Sequence, residues 1–132
     1  MKTDETNPRH WLEAGRARLT SADHLHFAEG ASAAVVELLQ EAVERYLKGY
    51  LIDRGWSLQR IHDLTVLLDA AAGYDARFRA FLDMSEALTD QFWAQHYPGG
   101  DLTDVGSDYE ELRKSVGEMA ELIEKEIASD RS

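Results

Sequence analysis

Apolar residues recur at steps of three and four along most of this chain, which is the spacing of amphipathic helices. Asn7 and Pro8 favour a first helix start, because Asn can cap and Pro needs no backbone donor at the first helical position, and this helix is predicted to run to about residue 26. The strongest apolar stripe lies between residues 35 and 51. It predicts a second helix that is capped by Ser32 and closed by Gly55 as a left-handed C-cap.

Three further helical segments are predicted. A short helix runs from about His62 to Ala72 and is closed by Gly73, and a fourth must stop near "HYPGG", because Pro98 and two glycines cannot continue it. The loop "GGDLTDVG" follows, and Ser107 with Glu110 fits a capping box at the start of the last helix. The fourth helix is marked by the apolar residues Phe78, Phe81, Leu82, Leu88, Phe92 and Trp93.

This order of segments predicts an all-α fold, namely an antiparallel up-and-down four-helix bundle with an additional short helix. A chain of 132 residues suits a single domain, here 1–132 with its core at about 8–128. Residues 1–6 and 129–132 are expected to be frayed tails.

Composition narrows the classes of function. Fourteen Lys and Arg against 25 Asp and Glu give a net charge of −11, which repels phosphate backbones and speaks against general DNA binding. The chain has no cysteine, so thiolate metal sites and a cysteine nucleophile are excluded. No apolar run approaches the roughly 20 residues that cross a bilayer, and the polar start is unlike a signal peptide, so no membrane association and a cytoplasmic location are expected.

Two small groups of polar residues stand out, one on the second helix and one at the start of the third. Glu44 and Lys48 have the i,i+4 spacing of an ion pair on a helix, most simply a solvated surface contact. His62 is at a helix start, where the helix dipole disfavours a protonated imidazole, so we expect it to bridge the incoming loop to the second helix, while Asp63 accepts hydrogen bonds from first-turn amides. An architectural role for His62 is favoured over a catalytic one.

Metal and nucleophile chemistry find little support. Asp23, His24 and His26 form the densest set of metal-ligand types, but nothing near them completes four ligands, and histidines near a helix C-terminus are explained by the dipole. No Gly-x-Ser-x-Gly elbow and no phosphate-binding glycine loop is present. We therefore expect no metal and no cofactor.

The run "LLQEAVERYLKGYLIDRG" resembles the HEPN domain family, whose pattern Gln-x-Ala-x-Glu-x-x-Leu-Lys is matched by Gln40, Ala42, Glu44, Leu47 and Lys48. The resemblance continues in His62-Asp63-Leu64 and in His96-Tyr97-Pro98, where many members have Arg-Tyr-Pro, and it spans about residues 9 to 128. It implies a helical bundle, frequently a homodimer, with nucleotide- or RNA-related roles and often a minimal nucleotidyltransferase as toxin–antitoxin partner.

Some members of that family are metal-independent ribonucleases with an Arg-x4–6-His motif. The match to that spacing here is Arg18 to His24 in the first helix, and six residues turn about 240° around a helix axis, so the two side chains diverge. His96 in place of the arginine removes a fixed positive charge. Catalysis is therefore not favoured, although an endoribonuclease whose Arg and His meet across a dimer interface stays an alternative.

The resulting hypothesis is a noncatalytic nucleotide-binding or regulatory module, with ligand contacts from Lys48, His62, His96 and Tyr97 and no catalytic residue. Its expected partners are a second copy of the chain, a nucleotidyltransferase, and a nucleotide or RNA. A further alternative is a homodimeric scaffold without a small ligand, joined through the aromatic-rich fourth helix.

Overall fold

The computed structural model describes the backbone of residues 4–96 and 105–129 and the side chains of residues 4–91 and 109–128. Every regular element in these ranges is helical, which confirms the all-α prediction for them. The antiparallel four-helix arrangement stays a prediction. The elements are α1 (Pro8–Glu29), α2 (Ala33–Asp53), α3 (Leu64–Tyr74), a 3₁₀ helix (Ala76–Phe81), α4 (Leu82–His96) and α5 (Val105–Ser129).

The predicted starts of the first two helices are confirmed. The Asn7 side chain accepts from the backbone N–H of Arg9 at 2.9 Å, with Pro8 as the first helical residue. The Ser32 hydroxyl accepts from the N–H of Val35 at 3.3 Å. Each cap gives a partner to a backbone donor that the first helical turn leaves free.

Gly55 closes α2 as predicted, with a φ of +96° that side-chain-bearing residues rarely adopt. Its N–H donates to the carbonyl of Ile52, and the N–H of Trp56 donates to that of Leu51. This is the double hydrogen bond of a Schellman motif, and it turns the chain sharply at the end of α2.

Several predicted boundaries are wrong. α1 continues to Glu29, and α3 passes through Gly73 and ends one residue later, because Gly73 has no positive φ and the extended residue Asp75 stops the helix. Asp75 caps a 3₁₀ helix, so the start of the predicted fourth helix belongs to a separate turn. α5 begins at Val105, two residues before the predicted cap Ser107.

The prediction of a frayed start fails for residues 4–6. The N–H of Asn7 donates to the carbonyl of Asp4 at 3.1 Å, and the indole N–H of Trp11 donates to the carbonyl of Glu5 at 2.8 Å. The Asp4 carboxylate accepts from the hydroxyl and amide of Thr6, and these bonds lower its pKa. The segment is thus fastened to the first turns of α1.

α2 is the central helix and contacts α1, α3, α4 and α5. It approaches α1 closely at two glycines: a Cβ at Gly15 would lie 2.7 Å from the Tyr46 ring, and a Cβ at Gly49 would lie 3.1 Å from Trp11. Early residues of α1 therefore meet late residues of α2, so the two helices run antiparallel. The buried core residues that α2 supplies are Val35, Val36, Leu39, Ala42, Val43, Tyr46, Leu47, Tyr50 and Leu51.

α5 lies along α1 in the opposite direction. Arg113 Nε and Nη2 donate to the two carboxylate oxygens of Asp23 at 2.7 and 2.9 Å, which lowers the pKa of Asp23. The ring of Tyr109 stacks on His26 with centroids 4.1 Å apart, and Arg16 pairs with Glu124 further along. None of the described helices is long and apolar enough to cross a membrane.

Candidate functional site

A cavity of about 490 Å³ lies between α2, α4 and the connection of residues 54–63, which we call the elbow. Positions 37, 40, 41, 44, 45 and 48 of α2 repeat at three- and four-residue steps and therefore lie on one side of the helix. The elbow and α4 complete the lining. The lining residues are Glu37, Gln40, Glu41, Glu44, Arg45, His62, Asp63 and Thr89.

The Glu44–Lys48 pair lies at the base of this region and is not the solvated surface contact that was predicted. Lys48 is 3% exposed, and its Nζ lies 3.0 Å from Glu44 Oε2. The face of Trp11 on α1 covers the ammonium, with the ring centroid 5.6 Å from Nζ. A charged amine removed from water needs such a carboxylate and a cation–π contact as compensation.

His62 contacts the same carboxylate from the elbow. Its Nδ1 lies 3.1 Å from Glu44 Oε2 and 3.3 Å from Oε1, while 77% of the His62 side chain is exposed. The contact joins the elbow to α2, so the predicted bridge between the loop and the second helix is confirmed. Glu44 thus contacts two side chains, the buried ammonium of Lys48 and the imidazole of His62 at the surface.

Asp63 is the last residue of the elbow and caps the start of α3. Its Oδ1 accepts from the Thr65 hydroxyl at 2.7 Å, from the Thr65 N–H at 2.9 Å and from the Val66 N–H at 3.4 Å. The Thr65 hydroxyl, ahead of the backbone amides, lowers the pKa of Asp63. The predicted capping role of Asp63 is confirmed, and it fixes the start of α3 directly after His62.

The remaining polar atoms of the lining are mostly acceptors. Arg45 Nη1 donates to the carbonyl of Glu41 at 3.1 Å, and the Glu41 carboxylate lies 3.7 Å from Arg18 Nε. The Thr89 hydroxyl donates to the carbonyl of Ser85 at 2.9 Å. The buried Oε1 of Gln40 accepts no hydrogen bond from the residues that the structure describes. With four carboxylates in the lining, the cavity favours groups that donate hydrogen bonds and disfavours free phosphate.

Of the four predicted ligand contacts, the structure brings Lys48 and His62 together through Glu44. The side chain of His96 and all of Tyr97 lie outside the described residues, so their proximity stays a prediction. Sequence analysis missed Glu44 as the central group and Thr89 as part of the lining. The family pattern carried a signal for Glu44, since Gln40, Glu44 and Lys48 lie at helical spacing within it.

The other sequence candidates lie on α1. The carboxylate of Asp23 binds Arg113 rather than approaching a third ligand, and in the described ranges no three His, Asp or Glu residues are grouped to hold a metal ion. Arg18 forms an ion pair with Glu41, and His24 is exposed. Neither Arg18 nor His24 lines the cavity.

The family model described as HEPN domain matches residues 8–128. Searches of curated proteins and of solved structures found no match. Since the family match covers nearly the whole chain, this protein belongs to the HEPN domain family.

Proposed function

We propose that the chain is a noncatalytic HEPN-type module that binds a nucleotide or acts as a regulatory partner, with the cavity beside α2 as its ligand site. The observation that supports this is the shared carboxylate of Glu44. It holds Lys48 and His62 in fixed positions, and a preformed polar frame of this kind favours binding because little must be reorganised when a ligand enters.

The size and charge of the cavity indicate how a nucleotide would be placed. A volume of about 490 Å³ is in the range of small-ligand pockets. Carboxylates and the Gln40 amide oxygen can accept hydrogen bonds from ribose hydroxyls and base amino groups, whereas they repel phosphate. We therefore place the nucleoside inside the cavity, and the phosphates outside it, near exposed His62 and the predicted contacts His96 and Tyr97.

Lys48 has an indirect part in this proposal. Because its ammonium is buried and paired, it holds Glu44 in place rather than meeting a phosphate itself. A ribonuclease needs a base or acid and a free cation near the scissile phosphate. In the described site, Glu44 engages both Lys48 and His62, which supports the noncatalytic alternative.

The proposal includes protein partners. A minimal nucleotidyltransferase in a toxin–antitoxin-type pair and a second copy of this chain are the partners that the family suggests, in a cytoplasmic setting. A net charge of −11 suits a basic partner surface, because complementary charge accelerates encounter.

Calorimetry with ATP, GTP and short RNAs tests the ligand. We expect heat with at least one nucleotide, reduced by His62→Ala and unchanged by the control His24→Ala, whose imidazole is exposed on α1 and outside the cavity lining. The absence of heat with every nucleotide, combined with no nucleotidyltransferase co-purifying with the tagged chain, would refute the proposal. Light scattering measures whether the chain is a dimer.

An RNA cleavage assay on gels tests the enzymatic alternative. We expect no cleavage by the purified chain. Cleavage that is lost in both His62→Ala and His96→Ala would instead establish a ribonuclease, while cleavage that neither change affects would indicate a contaminant.

A further inference from the structure

Trp11 of α1 does not line the cavity, but it contacts the charged side chains that border it. Its ring centroid lies 5.6 Å from Lys48 Nζ, and that nitrogen lies 3.0 Å from Glu44 Oε2. The same carboxylate oxygen lies 3.1 Å from His62 Nδ1. A continuous series of contacts therefore runs from α1 through α2 to the elbow.

The first turn of α1 is packed closely against α2 beside Lys48. A Cβ at Gly49 would lie 3.1 Å from the Cβ of Trp11 and 3.2 Å from the carbonyl oxygen of Pro8. The indole N–H of Trp11 donates to the carbonyl of Glu5 at 2.8 Å, which orients the ring. Gly49 and the N-terminal segment thus fix the indole face over the Lys48 ammonium.

The ammonium depends on this ring because it is removed from water. Lys48 is 3% exposed, and in the described part of the chain its Nζ has two partners, the Glu44 carboxylate and the Trp11 ring. Without the ring, the ammonium could turn toward water in the vacated space, and a solvated ion pair with Glu44 would be weak. The Glu44 carboxylate would then no longer be held beside His62.

We propose that Trp11 is a positioning residue of the cavity. Its indole face holds the Lys48 ammonium against Glu44 and thereby sets the place of the Glu44 carboxylate in the cavity wall. Trp11 acts through Lys48 and contacts no ligand itself. The inference rests on the proposed function only in treating the cavity as a ligand site, and the contacts themselves can be tested without a ligand.

Competitive acetylation with acetic anhydride, followed by mass spectrometry, measures how well Lys48 is covered. Lys125, whose side chain is 74% exposed, is the internal reference in every sample. Trp11→Leu keeps an apolar side chain without an aromatic face, and it should raise the ratio of the Lys48 rate to the Lys125 rate by about five- to tenfold, as loss of a desolvated cation–π contact predicts. Trp11→Phe keeps a ring face and should change this ratio by less than about twofold.

Nuclear magnetic resonance of the His62 imidazole measures the effect on Glu44. The ring carbon resonance of His62, assigned by its loss in His62→Gln, should shift in Trp11→Leu and keep its wild-type position in Trp11→Phe. Val116→Ala is the control for lost stability, because Val116 is buried in α5 three residues after Arg113, which pairs with Asp23 near the other end of α1. This control should leave both measurements unchanged.

The inference is overturned if Trp11→Leu fails to raise the acetylation ratio or to shift the His62 resonance. It is also overturned if Trp11→Phe or Val116→Ala changes them as much as Trp11→Leu does. Calorimetry distinguishes its failure from that of the proposed function. A wild type that binds no nucleotide counts against the proposed function and leaves the two measurements decisive here, whereas a nucleotide bound equally by wild type and Trp11→Leu would refute the positioning role.

Discussion

Replacing Gly15 with alanine should separate the effect of helix packing from that of helix propensity. The added Cβ would lie 2.7 and 2.9 Å from two ring carbons of Tyr46, well inside the roughly 3.5–4.0 Å of a relaxed carbon contact. Tyr46 is 2% exposed and is held between α1 and α5, so its ring cannot swing away freely. α1 and α2 must therefore move apart along their contact.

The magnitude follows from two opposing terms. Alanine gains about 1 kcal/mol over glycine within a helix, whereas overpacking a filled core costs about 1–3 kcal/mol. Because the added Cβ would lie less than 3.0 Å from a buried ring, we expect the packing cost to be in the upper part of its range, about 2–3 kcal/mol. After subtraction of the alanine gain of about 1 kcal/mol, the free energy of unfolding should fall by about 1–2 kcal/mol. The Tm should drop by roughly 3–8 °C for a domain of this size.

Gly73→Ala is the matched control. Gly73 is also helical, but it is exposed and a Cβ there meets nothing within 4 Å, so the same substitution should raise stability by about 0.5–1 kcal/mol. Urea unfolding followed by circular dichroism measures both. The reasoning fails if Gly15→Ala is as stable as the wild type, or if Gly15→Ala and Gly73→Ala change the free energy of unfolding equally.

Three further outcomes can be measured, the first two by urea unfolding and the third by an alkaline titration. Lys48→Met should lower the free energy of unfolding by about 2–4 kcal/mol, because the Glu44 side chain is only 13% exposed and its carboxylate would lose the buried cation. Lys125→Met, in a pair exposed to solvent, should change it by less than about 0.5 kcal/mol. Equal effects would contradict the burial argument. Asp63→Ala should cost about 1 kcal/mol at neutral pH through loss of the α3 cap. Folding lowers the pKa of Asp63, so the cap stabilises the protein above the ordinary carboxyl pKa, and this stabilisation should disappear as the pH falls below about 4. A difference in stability between Asp63→Ala and the wild type that persists in acid would contradict the prediction. Burial raises the pKa of Tyr46 to about 12, so its phenolate should form in the last part of an alkaline titration. Tyr46→Phe should therefore remove absorbance from that part of the curve. Loss of absorbance at lower pH instead would show that the Tyr46 ring is exposed.

The local signals of the sequence were sufficient for much of the helical framework. Asn7, Ser32 and Asp63 cap helices because short polar side chains can bond backbone amides two or three residues ahead, which depends on nearby residues alone. Gly55 ends α2 for an equally local reason, its positive φ. The prediction of a helix end at Gly73 is wrong, because a glycine inside a helix and one at its C-cap look alike in the sequence until the φ value is known.

The tertiary structure alone decided the character of the site. Helical spacing showed that Glu44 and Lys48 are neighbours, but their exposure depends on Trp11, which lies on a different helix and covers the ammonium. The approach of His62 to Glu44 likewise depends on how the elbow folds back across 18 residues of chain. Periodicity specifies which residues share a helix face, whereas the free energy of burying a charge depends on which other segments pack against that face, and no local pattern contains that information.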